Sequence, residues 1–157
     1  MPKTSDAIAG ACSKLEIQPG CTGTWYDIGG EMNQVSNTKE TREVGSVPVF
    51  NSMRHVTTGG KMPPITVTFS GLATEVDTEA FELVRGIWEA AGASDCIKRL
   101  CVRWTPKGGA VGDQMYEMTD LPELVGFMYP GPNAGEAGPI PFEFDVYGYI
   151  DTNTYVS

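Results

Sequence analysis

The sequence predicts a mainly β domain, a sandwich or barrel of two packed antiparallel sheets, with one flanking α-helix and a long early arm between strands. Nineteen glycines and eleven prolines in 157 residues favour a loop-rich β protein over a helical bundle. Several short segments alternate apolar and polar residues, which is the period of a half-buried strand. One segment has the three- and four-residue repeat of an amphipathic helix. We therefore predict a single domain over residues 14–157, preceded by a flexible N-terminal arm over residues 1–13.

The strands are predicted where alternation lies between turn residues. The clearest is 65–71, in which Ile65, Val67 and Phe69 share one face. In 98–105 we expect Leu100 and Val102 to point inward and Cys101 outward. The last strand, PFEFDVYGYID, is predicted to run unbroken over 141–151. Its core face holds Phe142, Phe144, Val146, Gly148 and Ile150, and its other face holds Glu143, Asp145, Tyr147, Tyr149 and Asp151. The remaining predicted strands are 14–18, 24–28, 31–36, 114–118 and 123–129. The segment 31–36 is alternatively a continuation of 24–28 past a bulge, and 114–118 and 123–129 are alternatively one long strand with a kink at residues 121–122.

The helix is predicted over residues 78–91, directly after the strand at 65–71. Phe81, Val84 and Trp88 recur at three- and four-residue steps and predict one buried stripe. We expect Asp77 or Thr78 to cap its N-terminus, and Gly92 to end it.

An arm over residues 37–64 has no periodicity, mixed charge and several glycines and prolines. Long loops without structure are uncommon in compact domains and often bind a partner. Exposed apolar residues in this arm favour docking on another subunit, and a short hairpin folded on the domain is the alternative. The candidate contact residues are Lys39, Arg42, Val47, Val49, Phe50, Met53, Arg54, His55 and Lys61.

The charge is distributed unevenly along the chain. Residues 1–107 hold twelve acids and eleven lysines and arginines, whereas 108–157 hold eight acids and no lysine or arginine. Such a segment repels phosphates, which argues against a basic nucleic-acid binder. Improved solubility is the simpler explanation of the acidity. The eight acids are Asp113, Glu117, Asp120, Glu123, Glu136, Glu143, Asp145 and Asp151.

The sequence gives little support for an enzyme, and we predict neither a cofactor nor a metal. It has one histidine, His55, and lacks the common nucleophile, zinc-protease and phosphate-loop motifs. The glycine-rich segment 108–112 is predicted to be a hairpin turn. We expect reduced, partly buried thiols at the two close cysteine pairs, Cys12/Cys21 and Cys96/Cys101.

Two further expectations concern a membrane and sugars. No apolar run is long enough to span a bilayer, so we predict no membrane insertion. A carbohydrate-binding module that uses Trp25, Tyr147 and Tyr149 is an alternative function.

The order of elements resembles that of the major tail protein, or tail tube protein, of long-tailed bacteriophages. The resemblance rests on the PPITVTFSG strand, the EAFELVRGIWEAAG helix after it and the terminal PFEFDVYGYI strand. It implies two packed sheets with one helix, hexameric rings stacked into a tube, and a lumen through which double-stranded DNA passes without specific binding. It also implies that the arm reaches a neighbouring subunit or ring and that other tail proteins contact the tube ends.

On this resemblance the protein is a structural component of the virion tail, made and assembled in the host cytoplasm. The candidate lumen-facing acids are Glu143, Asp145 and Asp151, followed by Asp113 and Glu117. A type VI secretion tube is a close variant. Another tail or head–tail joining component of similar fold is a further alternative.

Overall fold

The fold is that of a computed structural model, which describes residues 8, 10–90, 98–135 and 137–156. Within this part of the chain, one 3-10 turn (Gly10–Cys12) precedes the sheet strands. The helix is α1 (Ala80–Trp88). The strands are β1 (Lys14–Pro19), β2 (Tyr26–Asp27), β3 (Met32–Ser36), β4 (Val44–Val47), β5 (Val56–Gly59), β6 (Ile65–Leu72), β7 (Leu100–Thr105), β8 (Gln114–Met118), β9 (Glu123–Phe127), β10 (Pro141–Gly148) and β11 (Asp151–Thr154).

The strands form two main sheets and a separate hairpin. The five-stranded sheet has the order β11-β8-β7-β1-β2, and the four-stranded sheet has the order β3-β6-β10-β9. Strands β4 and β5 pair only with each other, and every pairing between these strands is antiparallel. The predicted fold class, mainly β with one helix, is confirmed.

The two sheets share one hydrophobic core, which is centred on aromatic residues. The ring of Phe69 stacks on Phe144 within the four-stranded sheet, with centroids 5.0 Å apart. It also meets the edge of Trp104, from the five-stranded sheet, at 6.0 Å. Helix α1 closes one side of the core, where Phe81 contacts Phe142 at 5.2 Å. The predicted inward faces of β6 and β10 are therefore confirmed, because burial of these rings determines which side of each strand faces inward.

The start of α1 differs from the prediction. Glu79 occupies the N-cap position and its side chain makes no capping hydrogen bond. The carboxylate of Glu31 supplies the cap, since its Oε1 accepts a hydrogen bond of 2.9 Å from the backbone N–H of Ala80. Burial raises the pKa of Glu31 above its usual value, and the bond from Ala80 partly opposes this shift. Asp77 and Thr78 are not the cap, and Gly92 lies outside the described residues.

The predicted final strand, 141–151, is divided between the two sheets. Strand β10 ends at Gly148 in the four-stranded sheet, and β11 begins at Asp151 in the five-stranded sheet. The intervening residues cross from one sheet to the other, so Asp151 does not continue the row of Glu143 and Asp145. Gly148 lies close to the turn before β9. A Cβ added at Gly148 would be 3.5 Å from Cα of Pro122 in that turn.

The expected reduced thiols are wrong for two of the cysteines, because Cys21 is disulfide-bonded to Cys101. Strand β1 pairs with β7, with Gln18 opposite Cys101, and the turn after β1 brings Cys21 back to this position. Cys101 is consequently buried instead of facing solvent. Cys12 is free and exposed, and Cys96 lies outside the described residues.

Smaller departures concern the early segments. The predicted strand 24–28 contracts to the two residues of β2. The predicted flexible arm falls mainly on residues 1–7 and 9, outside the described part, while Gly10–Cys12 forms the 3-10 turn. The turn at 108–112 connects the paired strands β7 and β8, as predicted, and Gly108, Gly109 and Gly112 have positive φ angles there.

Candidate functional site: an acidic sheet face and a projecting hairpin

The outward side of the four-stranded sheet is polar, and no lysine or arginine lies on any of its four strands. The pairing register places Ser36, Thr68 and Asp145 in one row across three strands. We call this surface the acidic face. Its side chains are those of Gln34, Ser36, Thr66, Thr68, Ser70, Glu143, Asp145 and Tyr147.

The carboxylates of the acidic face have neutral hydrogen-bond donors. The hydroxyl of Thr68 donates to Oδ1 of Asp145 over 2.8 Å, and Asn37 in turn donates to the Thr68 hydroxyl over 3.2 Å. The hydroxyl of Ser70 lies 3.5 Å from Oε2 of Glu143. Neutral donors orient a carboxylate without cancelling its charge, so the negative field of this face persists.

The described ion pairs lie elsewhere in the molecule. Lys14 and Arg103 pair with Glu16, and Arg85 pairs with Glu82 and Glu89. In the described part of the chain, therefore, no acid after residue 107 pairs with a lysine or arginine.

The absence of a side chain at Gly126 leaves space for the carboxylate of Asp145. These residues are cross-strand partners on β9 and β10. A Cβ added at Gly126 would approach Cβ and Cγ of Asp145 to 3.0 Å each, with Oδ2 closer still. Any larger side chain at position 126 must therefore displace the carboxylate or the edge strand.

The structure separates the five predicted lumen-facing acids. Glu143 and Asp145 lie together on the acidic face. Asp151 and Glu117 are cross-strand partners on the five-stranded sheet, where Glu117 is also opposite Arg103. Asp113 lies in the turn before β8, where its Oδ2 accepts a hydrogen bond of 2.9 Å from the N–H of Ala110. The single row predicted for Glu143, Asp145 and Asp151 is wrong, because the chain changes sheets after Gly148.

A second polar cluster, on the outward side of the five-stranded sheet, was missed from the sequence. Arg103 makes two hydrogen bonds of 3.1 Å to Glu16, which is 6% exposed. Nearby, Lys14 donates to the hydroxyl of Tyr155 over 2.8 Å, and this bond raises the pKa of Lys14. The alternation of residues 14–18 predicted the strand, but no local signal identified the partner of Glu16, which is 87 residues away.

The proposed sugar-binding aromatics are not brought together. The guanidinium of Arg103 covers Trp25, 4.2 Å from the ring centroid, beside the five-stranded sheet. Tyr147 is on the acidic face of the other sheet, and Tyr149 lies on the crossing segment. A carbohydrate platform that uses these three side chains is therefore not formed.

Strands β4 and β5 form a hairpin whose residues are all exposed. We call Val44–Gly59, with its loop, the projecting hairpin. Phe50 and Met53 in its loop are fully exposed, and no acid occurs over residues 44–74. All nine predicted arm residues are exposed: Lys39, Arg42, Val47, Val49, Phe50, Met53, Arg54, His55 and Lys61. The arm thus contains a hairpin, as the alternative prediction had it, but its tip is not packed on the domain.

Neither a metal nor a membrane site is indicated by the described residues. No three His, Cys, Asp or Glu side chains there are grouped to hold a metal ion. No described helix has the length and apolar character needed to cross a bilayer.

Solved structures with the same fold come from phage-like tails and injection systems. A chain of the PVC sheath–tube complex, from an extracellular contractile injection system, aligns with a TM-score of 0.71 at 9% identity, over 96% of this chain and 93% of that one. A chain from the structure of the anti-feeding prophage tube terminating cap aligns with a TM-score of 0.73 at 7% identity, over 98% and 95%. A chain from the tail of a GTA particle aligns with a TM-score of 0.64 at 12% identity, over 96% and 100%.

These matches establish the class of fold. The resemblance to tail tube proteins, stated from three sequence segments, is confirmed at the level of the fold. No protein-family model matches the sequence, and no curated protein is similar to it in sequence.

Proposed function

We propose that this chain is a structural, non-catalytic subunit of a phage-like tail tube. In this proposal the subunits form hexameric rings that stack around a channel, and the acidic face lines that channel. The observation that carries the proposal is the acidic face itself, whose carboxylates are oriented by neutral donors and lack cationic partners among the described residues.

A wall of this kind suits a conduit for double-stranded DNA. Each lysine or arginine that reaches a phosphate adds a salt-sensitive contact, and many such contacts would hold DNA in place. Glu143 and Asp145 instead repel phosphates, while the hydroxyls between them offer only weak neutral contacts. DNA therefore passes without specific binding.

The projecting hairpin supports self-assembly. Burying an apolar side chain of the size of Phe50 or Met53 contributes roughly 1.5–3 kcal/mol. Both are fully exposed in the single subunit, so this free energy becomes available only when a second molecule covers the hairpin. Repetition around a ring multiplies the contribution.

Deletion of residues 47–53 tests the assembly role. We expect the shortened protein to remain folded, because the deleted residues are exposed and outside the core. It should stay monomeric, whereas the full chain forms rings or tubes by negative-stain electron microscopy. Normal tubes from the deleted protein would contradict the assembly role of the hairpin.

A tube cap or terminator is a second candidate function. The same fold occurs in the anti-feeding prophage tube cap and in a chain of the PVC sheath/tube terminator complex. A terminator forms single rings that bind a tube end, whereas a tube protein forms long stacks. Electron microscopy of the purified chain distinguishes the two. In either case the protein belongs to the particle tail, is made in the host cytoplasm and contacts other tail proteins.

A further inference from the structure

Leu121 combines two unfavourable features in the turn between β8 and β9. Its φ is +51°, in the left-handed region that bulky side chains rarely adopt. It is also 71% exposed, so its apolar side chain gains little from burial in its own subunit. Strain of this kind is concentrated at functional sites, which makes Leu121 a candidate contact residue.

Two further exposed apolar side chains lie on the segments that flank this turn. Residues 119–122 and 149–150 both cross between the two sheets at the same end of the molecule, and Gly148 of one segment lies against Pro122 of the other. Tyr149 is 40% exposed and Val125 is 45% exposed. We call Leu121, Val125 and Tyr149 the crossover patch.

Acids outnumber bases in the segments that form the crossover patch. Asp120, Glu123 and Asp151 are each within two residues of a member of the patch. Arg99 also lies here and donates to the carbonyl of Leu121 over 2.6 Å, so three negative charges stand against one positive charge. An apolar surface with this rim fits an apolar, cationic partner.

The projecting hairpin has that chemistry. Phe50 and Met53 are exposed at its tip, Arg54 supplies positive charge, and no acid occurs over residues 44–59. Because the tip is exposed in its own subunit, it does not cover the patch of the same chain. A hairpin from a second copy of the chain fits the patch.

The sheet topology makes this contact possible between neighbours placed side by side. The hairpin connects the edge strand β3 with β6, whereas Leu121 and Val125 belong to the turn before β9 and to β9 itself, which is the opposite edge strand. Both the hairpin and the patch lie at the end of the sheet where β6 begins and β10 ends, because Ile65 pairs with Gly148. A contact between two different surfaces of identical subunits repeats from copy to copy and closes when the rotation forms a ring.

We propose that the crossover patch of each subunit receives the projecting hairpin of the neighbouring subunit within one ring. This inference rests on the self-assembly in the proposed function and names the surface that receives the hairpin.

Leu121→Gly removes the patch residue without endangering the fold, since glycine readily adopts a positive φ. The hairpin is inactivated separately by Phe50→Ser with Met53→Ser. Val111→Ser is the matched control, because Val111 is 74% exposed in the turn at the opposite end of β8. Assembly is measured by analytical ultracentrifugation and electron microscopy, and folding by the melting temperature.

We expect Leu121→Gly to melt near the wild-type temperature but to need about tenfold or more protein for half-maximal ring formation. The hairpin variant should also fail to assemble, and Val111→Ser should assemble normally. An equimolar mixture of the two defective variants should form heterodimers, because one intact hairpin still meets one intact patch.

Normal ring formation by Leu121→Gly, or a mixture that stays monomeric, would overturn the proposed contact. Failure of the wild-type chain to form any ring or tube would instead contradict the proposed function, so the two failures are distinguishable.

Discussion

Replacing Glu143 with lysine tests the acidic face with little effect on the fold. Glu143 is exposed on β10, and its described polar contact is the 3.5 Å approach of the Ser70 hydroxyl. Exposed substitutions of this kind change the free energy of unfolding by about 0.5 kcal/mol or less. The charge changes by two units per subunit, which is twelve units in each proposed hexameric ring.

The expected result is a tube that retains DNA. Each lysine that reaches a phosphate adds about 0.9 to the slope of log affinity against log salt concentration. With six such contacts, the affinity should fall about a thousandfold between about 50 and 200 mM salt. The assay is retention of double-stranded DNA by assembled tubes, measured after nuclease treatment at several salt concentrations.

Glu117→Lys is the matched control, because it makes the same charge change on the five-stranded sheet, where Asp151 lies opposite. We expect it to leave nuclease-protected DNA at the wild-type level. Equal retention by the Glu143→Lys and Glu117→Lys tubes would refute the assignment of the acidic face to the channel.

Predictions at three further sites concern the fold that supports this face. Glu31→Ala should lower the free energy of unfolding by about 1–2 kcal/mol, because the first N–H of α1 loses its acceptor, whereas Glu31→Gln keeps one. Burial raises the pKa of Glu31. The contribution of Glu31 to the free energy of unfolding should therefore be greatest below pH 4.5 and decline as the pH rises through the raised pKa. Denaturant titrations at several pH values should show this decline, and the Glu31→Gln variant should lack it. Gly126→Ala should cost about 1–3 kcal/mol by crowding Asp145, measured by urea unfolding, and an unchanged midpoint would contradict this. Cys21→Ser with Cys101→Ser should cost about 2–4 kcal/mol in the same assay, and reduction of the wild-type protein should match it.

Local alternation predicted much of the fold. Strands 65–71 and 114–118 are found within one residue of their predicted bounds, because each lies half-buried between clear turn signals. The inward face of β10 was also predicted correctly, since Phe142, Phe144 and Val146 are all buried. Alternation succeeds where one side of a strand faces a core and the other faces solvent.

The same signal failed where alternation continued through a change of sheet. The residues after Gly148 keep the two-residue pattern, so the sequence did not reveal that Asp151 joins a different sheet from Glu143. The candidate lumen-facing acids are correspondingly distributed over both sheets and the turn before β8. The pairing of β11 with β8, which is a non-local contact, separates Asp151 from Glu143.

Other features depend on contacts between residues far apart in the chain. Glu31 caps a helix that starts 49 residues later, and Cys21 bonds to a cysteine 80 residues away. No local spacing encodes either contact. The projecting hairpin lacks periodicity for a different reason: both of its sides are exposed, so no core selects one set of positions.

A cryo-electron microscopy reconstruction of the assembled protein tests the central assignment most directly. We predict a tube in which the side chains of Glu143 and Asp145 point into the lumen, while Glu117 and Asp151 point away from it. A reconstruction with the four-stranded sheet on the tube exterior, or with its polar side buried between subunits, would contradict the account.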